Sequence, residues 1–394
     1  MSAKLLSSAI ALTVLFASAC SSHDSRPSID IDKLDTGNFT TTPVDIETLR
    51  TPMSGIVREA IRIGSATPLA MEYDARFGFA PIQPARSNRV TPEEPPYFSG
   101  TGIESKQFAT EVPGLVAGWR MSANRRDELG QGRSIETFTL RFNDSDHAHQ
   151  AAEILMMRSE GDVFDGFRDY HGVHARVTQT DSSGVTTLRA FHAANDMLIA
   201  IQISDPVSRP FDPIDNTRIA KKYIDQQLAL LKGFVATPIA ALDRLPIDTE
   251  NLLSRTLGRD QPHSGAAVYP AHTALGLSER PAALSSAFAD AGVDYVAING
   301  ATVYRARDEA AAARLIVALR NGAFNAQGLV DADAPENLSV AHCYDLDPNL
   351  KMTGVNNPRC IAPIGRFAIS VTGSNLQEVR QRIAAQYKLL ATSG

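Results

Sequence analysis

Histidines, serines, paired acids and paired arginines are the side chains with chemistry to offer in this sequence, and their spacing restricts what they can do. In His147-Ala148-His149 the two rings stand at i and i+2. On a helix those positions point ~200° apart, and a shared metal wants i, i+4. The surrounding pattern is helical, so both read as solvated residues of a helix start, and no metal site is expected. A nucleophile elbow would show Gly-x-Ser-x-Gly, and Gly64-Ser65 and His263-Ser264-Gly265 both lack the frame. A triad of dispersed Ser, His and Asp residues is recognised by geometry alone, so an envelope serine hydrolase is carried as the alternative. No P-loop, dinucleotide-binding glycine fingerprint or metalloprotease His-Glu pair occurs, and no cofactor is expected. Glu93-Glu94, and Glu72 with Asp74, are acid pairs of the sort flexible segments carry. A glycosidase needs two carboxylates across a cleft, which sequence cannot place. Arg125-Arg126 precedes Gly130 and Gly132, and reads either as a solvated loop or as a contact for an anionic headgroup. No catalytic residue is assigned, and the chain is expected not to be an enzyme.

The cysteines say more. There are three, Cys20, Cys343 and Cys360. Lys4 supplies a short positive start, Leu5 to Ala19 are mostly apolar, and Ala17, Ser18 and Ala19 precede Cys20. The run has the length of a signal-peptide core and falls short of the ~20 residues that span a bilayer. Small residues before a cysteine, with polar Ser21-Ser22-His23-Asp24 after it, predict a bacterial lipoprotein signal, with residues 1–19 removed and Cys20 acylated. The other reading is plain secretion after an Ala-Ser-Ala site. Cys343 and Cys360 then remain as a pair in an oxidising compartment, where disulfides persist. The Asp-, Asn-, Pro- and Gly-rich segment between them would otherwise be a floppy loop, and closing it is worth about 3 kcal/mol. A metal reading has only His342 to add.

Composition bounds the class. The 394 residues, 43% hydrophobic, suffice for a sizeable core in two domains. Removing the leader takes only Lys4 from the charges, leaving 37 basic against 44 acidic residues, or −7. That balance gives no basic face, and no nucleic-acid partner is expected. No later segment is long and apolar enough to span a membrane, so the expected membrane contact is the lipid anchor.

Stepping along the chain, residues 20–50 read as a lipid-anchored tether, 51–237 as one domain and 238–394 as a second that holds the disulfide. A helix follows Pro52. The proline-rich stretch 65–110 reads as ordered coil with Phe77, Phe79, Tyr97 and Phe98 to bury. Alternation predicts strands at 136–142, 174–180, 185–192, 197–204, 295–299, 301–306 and 366–372. Helical spacing follows Asp144, Asp308 and Asn375, runs over 217–234 and 281–291, and covers a short stretch at 249–257. The halves echo each other: Ile224-x-x-Gln227-x-x-Leu230-Leu231 parallels Ile383-x-x-Gln386-x-x-Leu389-Leu390, and the strands before them match. The fold class expected is therefore α+β, two similar lobes, each an antiparallel sheet with helices on one face in a β-α-β-β-α repeat. Phe164, Phe167 and Tyr170 in a Gly/Asp-rich loop, and Trp119 among glycines, read either as a groove for an acyl or aromatic ligand or as satellite core.

Leu34-Asp35-Thr36-Gly37-Asn38-Phe39, Arg58-Glu59-Ala60-Ile61-Arg62, and Ala291-Gly292-Val293-Asp294 leading to Ala301-Thr302-Val303-Tyr304-Arg305-Ala306 carry a resemblance. The chain resembles a family of lipoproteins from mycobacteria, nocardiae and related actinobacteria, grouped as a domain of unknown function. That resemblance implies an envelope location and a lipid anchor, and transfers no catalytic residue. The repeated α+β units and paired cysteines are also similar to extracytoplasmic sensor modules of that envelope, on fold alone. The function expected is a non-catalytic binding role for a lipid, a glycolipid or an envelope protein, with a protein-docking scaffold as a further alternative.

Overall fold

A computed structural model describes residues 29–80, 87–127, 131–179, 184–208, 213–259, 266–323, 328–349 and 357–393. The leader 1–19, the lipidation expected at Cys20, the tether residues before position 29, Gly130 and the stretch His263-Ser264-Gly265 lie outside them.

Period-two alternation builds both sheets. The first contains β1 (Arg89–Val90), β2 (Leu115–Asn124), β3 (Ser134–Phe142), β4 (Asp162–Val163), β5 (Val173–Gln179), β6 (Thr186–Ala194) and β7 (Met197–Asp205). It is antiparallel, in the order β1-β2-β3-β7-β6-β5-β4. The second contains β8 (Ala267–Pro270), β9 (Tyr295–Ile298), β10 (Thr302–Arg305), β11 (Leu329–Ala332), β12 (His342–Leu346), β13 (Arg359–Ile364) and β14 (Phe367–Thr372). Read from the β8 edge, its order β8-β9-β10-β14-β13-β12-β11 repeats the first sheet strand for strand. The fold is α+β with two similar lobes.

Caps fix the helices. Asp144 and Asp308, each just after the third strand of its sheet, accept the backbone N–H of His147 and Ala311 and start α4 (Ser145–Arg158) and α8 (Glu309–Ala318). Asn375 caps α9 (Leu376–Thr392), the counterpart of α5 (Pro213–Leu231). Proline opens α7 (Pro281–Ala291), and Gly292, at φ 58°, closes it in the left-handed conformation. The short helices are α2 (Ala70–Tyr73), α3 (Phe108–Glu111) and α6 (Ala271–Leu275), and α1 (Ser54–Ser65) precedes them all.

Two details differ from the expectation. Helices cover both faces of each sheet. In β3, Phe138, Leu140 and Phe142 meet the alanine face of α4, while Ile135 shares a cluster with Ile219, Tyr223 and Ile224 of α5. Each repeat is also longer, three strands, a helix, four strands and a helix, because the edge strands are too short to show a period and β2 opens on a run without one. A strand covered on both sides reads as an almost continuous apolar run, and the first half of β2, Leu115 to Gly118, is one; from Trp119 on, Arg120 and Ser122 alternate with buried Trp119, Met121 and Ala123. Residues 249–257 form turns, and the segment from His342 to Arg359 is no simple loop: Cys343 of β12 stands directly opposite Cys360 of β13, and they form a disulfide.

The lobes share a core. Ile61 and Ile63 of α1, and Trp119 and Met121 of β2, cluster with Tyr269, Ala274 and Leu275 of the second lobe. Trp119 is fully buried there, 6.4 Å from the Tyr269 ring centre, and belongs to this core rather than to a ligand groove. Gly64 makes the approach feasible, because a Cβ on it would lie 2.6 Å from the Trp119 ring and 2.9 Å from Thr273. Buried Glu59 on α1 accepts from Arg141, Arg62 and Thr237, tying α1 to β3 and to the connection after α5. The N-terminal strap reaches the far lobe: Leu34 and Ile46 enter the α9 core, Asp35 accepts from Gln381, and Arg382 lies 4.9 Å from the Phe39 ring centre.

Candidate functional site

The β2–β3 hairpin, the turn after α2 and the start of α5 converge at one end of the first lobe, and each brings arginine. Arg125 and Arg126 follow β2, Arg133 precedes β3, Arg76 follows α2, and Arg218 and Lys222 lie on the first turns of α5. Asp74, Asp205 and Asp215 hold the cluster together. Arg133 donates to Asp205 at 2.7 Å and to Ser208 at 2.7 Å, and also pairs with Asp215. Arg125 donates to Asp74 at 2.9 Å with its guanidinium 4.8 Å from the Phe77 ring centre, a cation–π contact. Arg76 forks onto both Asp74 oxygens at 2.8 and 2.6 Å, and Arg218 pairs with Asp215.

Burial works to raise all three carboxyls, and their hydrogen bonds and cations outweigh it. Asp74 is held below the usual range mainly by Arg76, and Asp205 by Ser208 and Val207 N–H groups and Arg133. Asp215 is held well below it by Arg218 and Arg133. All three are therefore ionised at neutral pH. Six cations against three carboxylates leave the cluster three positive charges in excess. The Arg125 Nε is buried with no hydrogen-bond partner among the described residues, and Arg126, exposed, makes no ion pair among them.

Three adjoining depressions run from this cluster. The first, about 450 Å³, is lined by Arg76, Arg125, Arg126, Arg133, Val207 and Ser208. Arg76 also borders the second, about 290 Å³, with Tyr73, Asp74, Arg218 and Lys222. Arg218 and Lys222 in turn border the third, about 440 Å³, whose other walls include Phe164, Pro213, Ile214 and Lys221. Ile214 is three-quarters exposed at the rim. The Phe164 ring sits against Gly166, where a Cβ would come within 2.3 Å of it. Phe167 beneath is core, edge-on to Phe164 at 6.3 Å and to Tyr170 at 6.4 Å. Lys221 stands 5.1 Å from the Tyr170 ring centre and pairs with Asp169 at 2.6 Å, and the Tyr170 hydroxyl donates to Asp225 at 2.8 Å. The path thus passes from guanidinium-lined to apolar over shared walls.

Arg125-Arg126 and Phe164 therefore line the two outer depressions of this row, while Phe167 and Trp119 are core. The His147 Nδ1 lies 2.7 Å from its own helix cap, Asp144, and no group of three metal-ligating side chains occurs among the described residues. Neither carboxylate–histidine pair, Asp144–His147 or Glu72–His272, has a serine hydroxyl hydrogen-bonded to its ring among the described residues. Sequence reading missed Arg76, Arg133, Arg218, Lys222 and Ile214. Arg218, Lys221 and Lys222 stand at i, i+3 and i+4, a basic stripe that could have been found. Arg76 and Arg133 are isolated residues in turns, with no local signal.

Two family models match the chain: Domain of unknown function (DUF7373) N-terminal over residues 46–247, and its C-terminal counterpart over 252–393. No curated protein matches. Among solved structures, the crystal structure of the extracellular domain of PknH from Mycobacterium tuberculosis is similar at 11% identity and TM-score 0.30, over 49% of this chain and 100% of that one. A likeness of that degree is too distant to bear on function.

Proposed function

The chain belongs to the DUF7373 family, carrying its N-terminal and C-terminal domains in order, and we propose that it is an exported envelope lipoprotein, anchored through acylated Cys20, that binds an anionic amphiphile without covalent chemistry. The observation that carries this reading is the row of three adjoining depressions on the first lobe, arginine-lined at one end and at the other walled by Phe164, Pro213 and Ile214 beside Lys221, Lys222 and Asp225. A phosphorylated lipid or glycolipid has the matching order of parts. Its headgroup meets Arg76, Arg125 and Arg126, where planar guanidinium donors suit phosphate oxygens. Its acyl portion follows the third depression, where apolar burial adds about 0.8 kcal/mol per methylene. The lipoprotein signal and the family resemblance support a ligand drawn from an actinobacterial envelope.

Mass spectrometry of organic extracts tests it. Protein produced in an actinobacterial host should release a stoichiometric anionic lipid, while the covalent acyl chains on Cys20 stay with the polypeptide. The same extraction from an Arg76→Glu, Arg126→Glu double variant should yield none. Equal lipid from both proteins would contradict the assignment.

A further inference from the structure

The duplication marks a second place where something is bound. Strand register makes Arg189 and Arg359 counterparts. Arg141 and Arg305 stand at the end of the pairing between the third strand of their sheet and its neighbour, opposite Met197 and Phe367. Five residues further along those partner strands stand Gln202 and Thr372, which pair with Arg189 and Arg359. Both arginines therefore rise from the same site on the same face.

In the first lobe that site is filled by the chain's own β1–β2 connection. The Ser99 carbonyl accepts from Arg189 Nε at 2.9 Å, and Gly100 lies so close that a Cβ would come within 2.3 Å of the guanidinium. The Phe98 ring then covers Phe138 at 4.4 Å and Phe191 at 6.0 Å. In the second lobe the corresponding connection, β8 to β9, contains α6 and α7 instead. It leaves a cavity of about 200 Å³, walled by Leu284, Phe288, Val296, Ile298 and Tyr304 with Glu279 and Arg359 among its polar groups. Thr302 stands where Phe138 does, so the aromatic packing of the first lobe is not repeated. Glu279 Oε2 is buried with no hydrogen-bond partner among the described residues. Burial also pushes the Arg359 guanidinium down, which marks a dehydrated position.

The first lobe thus displays what such a site holds: an apolar side chain and an acceptor oxygen on the arginine. In the second, the Glu279 oxygen asks in addition for a donor. We infer that the cavity between α7 and the second sheet binds a free hydrophobic α-amino acid, its carboxylate on Arg359, its ammonium on Glu279 and its side chain among Leu284, Phe288 and Ile298. The space exceeds the ~150 Å³ of a cavity that takes benzene, which suits a phenylalanine- or leucine-sized molecule. A zwitterion also leaves the charge of the site unchanged.

Calorimetric titration of the full chain with L-phenylalanine and L-leucine tests the inference. Saturable binding is expected, weakened about tenfold or more by N-acetylation and again by conversion of the carboxylate to an amide, since each removes a charged hydrogen bond. Glu279→Gln should weaken L-phenylalanine while leaving the affinity for N-acetyl-phenylalanine unchanged, and Leu284→Trp, which fills the cavity, should abolish binding. No saturable heat with either amino acid would overturn the inference, as would binding indifferent to both the caps and Leu284→Trp. The ligand-side changes need no variant to fold. The site is independent of the arginine groove, so Arg126→Glu should not affect it.

Discussion

Arg133 shows how the groove's charges are held. Its guanidinium spans Asp205, Asp215 and Ser208 and is largely out of solvent. Breaking a buried pair costs more than the pair itself contributes, because the abandoned charge stays buried. Arg133→Gln is therefore expected to destabilise the first lobe by about 3 kcal/mol, read by denaturant unfolding. Arg126→Gln, at an exposed position, should change stability by less than about 0.5 kcal/mol. The two variants separate framework from binding surface. Acid sensitivity follows from the same residues. Asp74, Asp205 and Asp215 titrate lower in the folded chain than the ~4 of an unfolded aspartate. Their stabilisation is fully present above that value and is lost as pH falls through their folded values. Unfolding followed against pH should therefore show stability level near neutrality and declining only below about pH 4. A decline centred near pH 6 would point to histidines instead.

Helices and strands show what sequence could and could not declare. The motif shared by α5 and α9 holds a structural device, for Gln227 and Gln386 are both fully buried. Gln227 accepts from Thr139 and donates to the Ala66 carbonyl, while Gln386 accepts from the Leu257 N–H and donates to the Arg255 carbonyl. Each glutamine ties its helix to a segment distant in sequence. Either Gln→Leu change strands those groups and should cost about 1–3 kcal/mol, seen as a lowered unfolding midpoint. Capped helices and the long central strands other than β2 were legible because caps and runs of strand-forming residues are local. β2 was not, since it opens with the unbroken apolar and glycine run Leu115-Val116-Ala117-Gly118 and alternates only from Trp119 to Asn124. Nor was the helix layer on each sheet's second face, because amphipathic spacing says that a helix packs and not on which side. Cys343 and Cys360 were legible as a pair by elimination, whereas their position across β12 and β13 was hidden by the turn-rich residues between them. Removing the bridge by Cys343→Ser with Cys360→Ser should cost about 3 kcal/mol for a loop of 17 residues.

At the scale of the whole molecule the lobes are joined by a core rather than by a flexible linker. Trp119, Ile61, Ile63, Tyr269 and Leu275 form it, and Gly64 allows it to close. Gly64→Ala would force the Trp119 ring aside, and overpacking of this kind costs about 1–3 kcal/mol. Trp119 fluorescence should shift toward that of a solvated indole in this variant well before the first lobe's own strands unfold. The strap at Leu34 and Ile46 packs onto the core of the second lobe.

The most direct test of that groove is calorimetric titration of a Cys20→Ala chain, which lacks the proposed acylation site, with short-chain phosphatidylglycerol and, as the neutral counterpart, phosphatidylcholine. Preferential binding of the anionic lipid is predicted, weakened about tenfold by Arg126→Glu and weakened further as salt rises. Phe164→Ser should lower affinity while leaving the salt dependence intact. Equal affinity for both lipids, or an anionic preference indifferent to Arg126→Glu, would contradict the account.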